Sequence, residues 1–207
     1  MLRVGLTGSI AVGKSYVSAV LAELGCHVLD ADKTAREVVA VGTPGLRALV
    51  ESFGREVLLA DGSLDRARLG TIIFADESKR TLLNSLLHPY IIAAQDEQLR
   101  QWEREDPRGI AVVDAALMIE SGGYRRFDKL IVVHCRPSIQ AERLMARNSL
   151  SLEEAERRIR AQMPQEEKMR YADFLIDTSE GFEPTRRQTI EVYEALRALA
   201  GKDFSDG

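Results

Sequence analysis

The sequence predicts an α/β fold, a five-stranded parallel sheet covered on both faces by helices. Two observations predict it. Five short apolar runs alternate with stretches of helical spacing, and that alternation is the pattern of a parallel sheet joined by helical crossovers. The first run also leads at once into a glycine-bearing turn and a helix, as in sheets that bind ligands beyond the carboxyl ends of their strands.

The elements follow in order. Residues 2–7 form a buried strand. Residues 15–24 have helical spacing, with Val17, Val20, Leu21 and Leu24 on one side, and Gly25 stops them. Residues 27–30 are a second strand. Residues 34–41 are helical and end at Gly42, and Pro44 opens a helix that Gly54 closes. The pattern is helical from 65 to 105, with a break expected at Pro89. Residues 109–114 and 129–134 are the third and fourth strands. Residues 137–147 are a helix, and Ser151-Leu152-Glu153-Glu154 fits a capping box that starts another. Pro164 interrupts it, 165–172 continue as a separate helix, and 173–177 are the fifth strand. A closing helix over 184–200 is expected to stop at Gly201, with the last six residues frayed.

A chain of 207 residues suits one domain with a sizeable core. Its net charge of −4 argues against a protein that neutralises a nucleic-acid backbone. The short basic clusters (Arg125-Arg126, Arg157-Arg158, Arg186-Arg187) sit among acidic residues and read as solvated faces. Cys26 and Cys135 each adjoin a strand, without metal-ligand spacing, and read as buried thiols in a reducing compartment. No signal-peptide core and no membrane-length apolar stretch is present, so a cytoplasmic protein without membrane partners is expected. The sequence carries no signal for oligomeric state.

Gly8-Ser9-Ile10-Ala11-Val12-Gly13-Lys14-Ser15 fits G-x-x-x-x-G-K-[ST]. Gly8 and Gly13 are expected to adopt angles that L-residues disfavour, which lets successive N–H groups converge on phosphate oxygens. The helix beginning near Lys14 adds its positive end. Lys14 can reach β- and γ-phosphates, and the Ser15 hydroxyl can ligate Mg²⁺. Such a match arises by chance about once in a hundred chains of this length, and its strand–turn–helix context lowers that further. The motif alone does not separate kinase, GTPase and motor.

Several residues could complete such a site. Asp30 and Asp32 follow the second strand two apart, where one could accept a hydroxyl proton or either could cap the next helix. Asp114 ends an apolar run, the place where an aspartate orients Mg²⁺. Arg143 and Arg147 share a helix face, which is either solvated or closes over a triphosphate. His88-Pro89 reads on its own as a packing or capping pair, and Glu120 alone carries no signal.

Taken together, the chain resembles the dephospho-coenzyme A kinase family along nearly its whole length. The stretches that carry the resemblance are VGLTGSIAVGKS (4–15), Leu24-Gly25, VLDAD (28–32) with Ala35-Arg36, Phe53-Gly54, Asp61-Gly62, LNSLLHP (83–89), 117–120 and Ala172-Asp173. The resemblance implies a three-layer P-loop kinase fold with core segments 1–42, 109–135 and 173–207, a helical acceptor-binding region 43–108 and a lid 136–172. It implies ATP-dependent phosphorylation of the ribose 3′-hydroxyl of dephospho-coenzyme A, the last step of coenzyme A synthesis, with Mg²⁺. By that resemblance Asp32 is the general base, Lys14 and Arg143 assist transfer, and Ser15 and Asp114 serve the metal. Gly8, Ser9, Ala11, Val12, Gly13, Lys14, Ser15, Tyr16, Arg143 and Arg147 would hold ATP, and Asp32, Arg36, His88, Pro89 and Glu120 the acceptor. The chain departs from the family pattern at several places. Ser9 and Ala11 stand where glycine is common, and Ala11 is expected to take an ordinary backbone angle. Tyr16 replaces a usual threonine, Ala116 and Ile119 a proline and a phenylalanine, and Thr178 an asparagine near the adenine.

Two other readings share some of these features. A nucleoside or nucleoside-monophosphate kinase would have the same loop and lid. A non-enzymatic nucleotide-binding switch or sensor would have the loop, but no Asn-Lys pair occurs for the N-K-x-D motif of GTPase switches.

Overall fold

The computed structural model describes residues 1–202. They form two compact units, one made of residues 1–29 and 102 onward, the other of Asp30–Gln101. The strands are β1 (Leu2–Gly8), β2 (His27–Asp30), β3 (Ile110–Asp114), β4 (Lys129–His134) and β5 (Phe174–Asp177). The helices are α1 (Lys14–Glu23), α2 (Ala31–Glu37), α3 (Pro44–Phe53), α4 (Arg66–Ala75), α5 (Glu77–Glu105), α6 (Pro137–Asn148), α7 (Leu152–Arg160), α8 (Gln165–Met169) and α9 (Phe182–Lys202).

All five expected strands form, with ends within a residue of expectation, in the order β2-β3-β1-β4-β5. β1 pairs in parallel with β3 and β4, and β4 in parallel with β5. Strand side chains alternate between faces. Leu2, Val4, Leu6, Ile110, Val112, Ile131 and Val133 enter one core with Val17 and Leu21 of α1 and Val192 and Leu196 of α9. On the other face a Cβ at Gly5 would lie 2.5 Å from Met118 Sδ and 2.9 Å from Leu130 Cδ1. Every residue of β3 is therefore buried, which requires cover on both faces. Each fully buried leucine or valine of this core contributes roughly 1.5–3 kcal/mol.

The second unit is helical. Val39, Leu49, Phe53, Val57 and Leu69 form its core. Here three helix boundaries depart from expectation, each time with a side-chain hydrogen bond to the backbone at the boundary. The helix after β2 starts at Ala31 rather than 34, since Asp30 Oδ1 accepts from Asp32 N at 2.8 Å and Lys33 N at 3.0 Å. It stops at Glu37, and Thr43 Oγ1 lies 2.8 Å from the carbonyls of both Val38 and Ala40. The long helical stretch breaks at Asp76, whose Oδ1 accepts from Ser78 N at 2.9 Å and Ser78 Oγ at 2.6 Å, a start signal for α5.

The break expected at Pro89 does not occur, and α5 runs through it. Proline removes one N–H and crowds the carbonyl four residues earlier. That carbonyl belongs to Ser85, an exposed residue, so water can donate in place of the missing N–H. In α9 the chain turns helical at Phe182, before Pro184, because first-turn N–H groups have no intrahelical acceptor to lose. Gly201 lies within α9, which reaches Lys202. The rest of the segment expected to fray, residues 203–207, lies outside the described residues. The capping box forms, with Glu154 N donating to Ser151 Oγ at 3.3 Å and Ser151 N to Glu154 Oε2 at 3.0 Å.

Candidate active site

The chain leaves β1 toward one edge of the sheet and β3 toward the other, and β1 and β3 are neighbours. Their carboxyl ends thus frame the topological switch point where such sheets bind ligands. Residues 9–13 loop out between β1 and α1 at this place.

The two glycines of the loop answer different demands. Gly13 takes φ 87°, as expected. Gly8 needs space instead of an unusual angle. A Cβ there would lie 2.6 Å from the Val133 carbonyl and 2.9 Å from Val12 Cγ2. Ala11 corrects a second expectation, because its φ is 61°, in the left-handed region. That conformation costs an L-residue roughly 1–2 kcal/mol, so neighbouring contacts must hold it. Ile10 supplies them. Its N–H donates to Gln162 Oε1 at 2.7 Å, and its carbonyl accepts from Gln140 Nε2 at 2.8 Å.

α1 begins from Gly13 with no side-chain cap and no acidic residue in its first turn. Its free N–H groups and positive end suit an anion. Ser9 Oγ is buried and has no hydrogen-bond partner among the described residues, a further polar group available to one. Lys14 pairs with Asp114 Oδ1 in a partly buried contact, while Ser15 is exposed. The Ala115 N–H, next to Asp114, donates to the Leu6 carbonyl at 3.0 Å and ties this strand end to β1.

Arg143 reaches the loop through Thr178. Its Nη1 donates to Thr178 Oγ1 at 2.8 Å and its Nη2 to the Thr178 carbonyl at 2.7 Å, and Thr178 Oγ1 donates to the Val12 carbonyl at 2.6 Å. Arg147, one turn later, is exposed and donates from Nε to Asn148 Oδ1 at 2.9 Å. Tyr16 packs against Phe182 with ring centroids 4.8 Å apart. Glu120 is held by Lys168 Nζ at 2.8 Å. Lys168 is fully buried and also donates to the Ala116 carbonyl at 3.0 Å. Near β5, burial raises the Asp177 carboxyl, but hydrogen bonds from Ser179 outweigh it and hold the group below its ordinary value.

Four expected residues belong to the second unit. Asp32 sits exposed in the first turn of α2, and its carboxylate has no partner among the described residues. Asp30, not Asp32, is the helix cap. Arg36 is exposed in the last turn of α2, and His88 and Pro89 are exposed on α5. The structure thus gathers Lys14, Ser15, Asp114 and Arg143 around one loop, with Glu120 on the segment after β3. Gln140, Gln162, Gln165 and Lys168 went unseen in the sequence. Neutral amides leave no charge pattern, and Lys168 stands in a short acidic helix that looks solvated.

Fold and loop together define the class first. A shikimate kinase from Acinetobacter baumannii aligns over 98% of this chain and 95% of its own, with a TM-score of 0.51 at 16% identity, so the architecture is that of the P-loop kinases. Within that class, the family model described as Dephospho-CoA kinase matches residues 2–183, and the chain belongs to the dephospho-CoA kinase family. A dephospho-CoA kinase of Listeria monocytogenes is 46% identical over 189 residues, 90% of this chain and 93% of the relative. One from Carboxydothermus hydrogenoformans is 40% identical over 202 residues, covering 98% and 96%. The structure of dephospho-CoA kinase from Campylobacter jejuni is 29% identical, with a TM-score of 0.73 over 95% of this chain and 98% of that one.

Proposed function

We infer that this chain transfers the γ-phosphate of ATP to the ribose 3′-hydroxyl of dephospho-coenzyme A, giving coenzyme A and ADP. The observation that carries this reading is the family match over residues 2–183, on a chain whose loop is built for phosphates. In the reaction a bond forms from O3′ to the γ-phosphorus, the bond to the β,γ-bridging oxygen breaks, and the hydroxyl proton leaves.

The N–H groups of Ser9, Ala11, Val12 and Gly13 would cradle the phosphates, with Gly8 keeping the loop close to the sheet and Tyr16 following it. Lys14 would exchange Asp114 for β- and γ-phosphate oxygens, so its ammonium is paired before and after nucleotide arrives. Arg143 would stabilise charge on the transferring phosphoryl group, with Arg147 a second cation for ATP. Asp32 would orient the 3′-hydroxyl and receive its proton. Its freedom from capping duty supports that role. Arg36, His88, Pro89 and Glu120 would contact the acceptor.

Ser15 and Asp114 offer the hard oxygen donors that suit Mg²⁺. Among the described residues no group of three or more His, Cys, Asp or Glu could hold a metal, which fits a cation completed by phosphate oxygens and water. When bound, Mg²⁺ would neutralise charge on the β- and γ-phosphates. The working division is a core (1–42, 109–135, 173–207), an acceptor-binding region (43–108) and a lid (136–172). Two free, buried thiols agree with a reducing, cytoplasmic setting.

The test is transfer from γ-labelled ATP to dephospho-coenzyme A, nucleosides, nucleoside monophosphates and no acceptor, with the phosphorylated position mapped. Label on the ribose 3′-oxygen of dephospho-coenzyme A alone is expected. Preference for a nucleoside or its monophosphate would make this a different kinase, and turnover indifferent to acceptor would remove the kinase reading.

A further inference from the structure

Three glutamines of residues 136–172 converge, two directly and one through its neighbour, on one residue of the phosphate loop, Ile10. Cys135 N donates to Gln165 Oε1 at 3.1 Å, Gln165 Nε2 donates to Gln140 Oε1 at 2.9 Å, and Gln140 Nε2 donates to the Ile10 carbonyl at 2.8 Å. A backbone N–H at one end can only donate and a carbonyl at the other can only accept, so each carboxamide orientation between them is determined. Gln140 is 1% exposed, so solvent cannot replace it. Gln162 holds the other side of the same residue, accepting from Ile10 N at 2.7 Å.

The peptide that Gln140 grips is the one entering Ala11. No cis bond occurs among the described residues. In a planar trans peptide the C=O and N–H point in opposite directions. Drawing the Ile10 oxygen toward Gln140 therefore turns the Ala11 N–H away from it. Ala11 itself holds φ 61°, which alanine disfavours and glycine does not. We propose that Gln140 is a positioning residue for nucleotide binding. It locks the Ile10–Ala11 peptide so that the Ala11 N–H is presented to phosphate, against alanine's tendency to leave the left-handed region. This inference rests on the phosphate-binding reading of the loop.

The test is a double-mutant cycle between Gln140 and Ala11, read by calorimetric ATP affinity, with circular dichroism as the fold check. Gln140→Met keeps the bulk and deletes the donor. Its ATP Kd rises about tenfold, the scale of one lost, well-placed hydrogen bond, while the KM for dephospho-coenzyme A stays put. In the Gln140→Met background Ala11→Gly recovers a large part of the loss, an effect larger than it has in the wild-type background, because glycine accepts the loop angle without a clamp. A folded Gln140→Met protein with wild-type ATP affinity overturns the proposal, as does an Ala11→Gly effect equal in both backgrounds. Should Gln140→Met not fold, the Ala11 amide of the wild-type chain decides. ATP must shift and protect it in NMR exchange, and no response overturns the proposal. A wild-type chain that binds no ATP overturns the kinase reading along with it, whereas normal wild-type binding with indifferent variants removes this proposal alone.

Discussion

Asp30 and Asp32 are two residues apart and differ in what they touch. The Asp30 carboxylate is used by the backbone, accepting from Asp32 N and Lys33 N. That leaves the Asp32 carboxylate exposed and unpartnered among the described residues, as a group awaiting a hydroxyl must be. Asp32→Asn keeps the shape and removes the proposed base. We expect kcat to fall by roughly 10²–10⁴-fold, with ATP affinity and melting temperature near wild type. Asp30→Asn, by contrast, retains a good cap and should leave kcat close to wild type. If the two substitutions had the reverse effects, the assignment of base and cap would have to be exchanged. Spacing alone left the two aspartates equivalent, and only the family resemblance singled out Asp32, since both precede helical spacing and the distinction lies in which carboxylate folds back on the chain. Lys14 and Ser15 were legible because the loop chemistry fixes their types and spacing. Gln140 and Lys168 were not, because their partners are carbonyls of Ile10 and Ala116, 130 and 52 residues away.

At the scale of elements, the strands were readable to within a residue and so was α3, opened by Pro44 and closed by Gly54, but both ends of α2 and the start of α5 were not. A strand buried on both faces is an apolar run whatever its neighbours do. A helix start such as Asp76 depends on one side chain turning back to Ser78 N, and many polar residues could do the same. Pro89 is the instructive case. Its position inside α5 makes it a removable defect. Pro89→Ala restores an N–H for the Ser85 carbonyl and replaces the poorest helix former with the best. An interior proline is worth about 3 kcal/mol against alanine, and the looser unfolded chain gives back about 0.4–1 kcal/mol. Urea unfolding should therefore show a gain of about 2 kcal/mol. Because His88-Pro89 is proposed to meet the acceptor, the same variant should raise the KM for dephospho-coenzyme A and leave that for ATP unchanged. Loss of stability would mean that Pro89 makes a favourable contact that outweighs its missing N–H.

At the scale of the molecule, alternation of strand and helix announced a parallel sheet, but the order β2-β3-β1-β4-β5 is written in no local stretch. It emerges when every apolar run must be covered on both faces and β1 must sit centrally with its loop at the switch point. The two cysteines test whether that sheet opens as one body. Cys26 precedes β2 and Cys135 follows β4, so they mark opposite ends of the parallel strands, yet both belong to one core cluster. Burial pushes the Cys26 thiol up to about 12 and is the largest influence raising Cys135. Both thiols are also buried, so a reagent reaches them only when the core opens. A dilute thiol reagent should label both slowly and at rates tracking the opening equilibrium. ATP at a hundred times its Kd adds about 2.7 kcal/mol to the closed state, or roughly a hundredfold fewer openings. If the sheet opens as a unit, labelling of Cys26 and of Cys135 should slow by the same factor, although only Cys135 is bonded into the glutamine chain that reaches the loop. Protection of Cys135 with none at Cys26 would show that the loop end opens locally and that nucleotide binding stabilises only that end of the sheet.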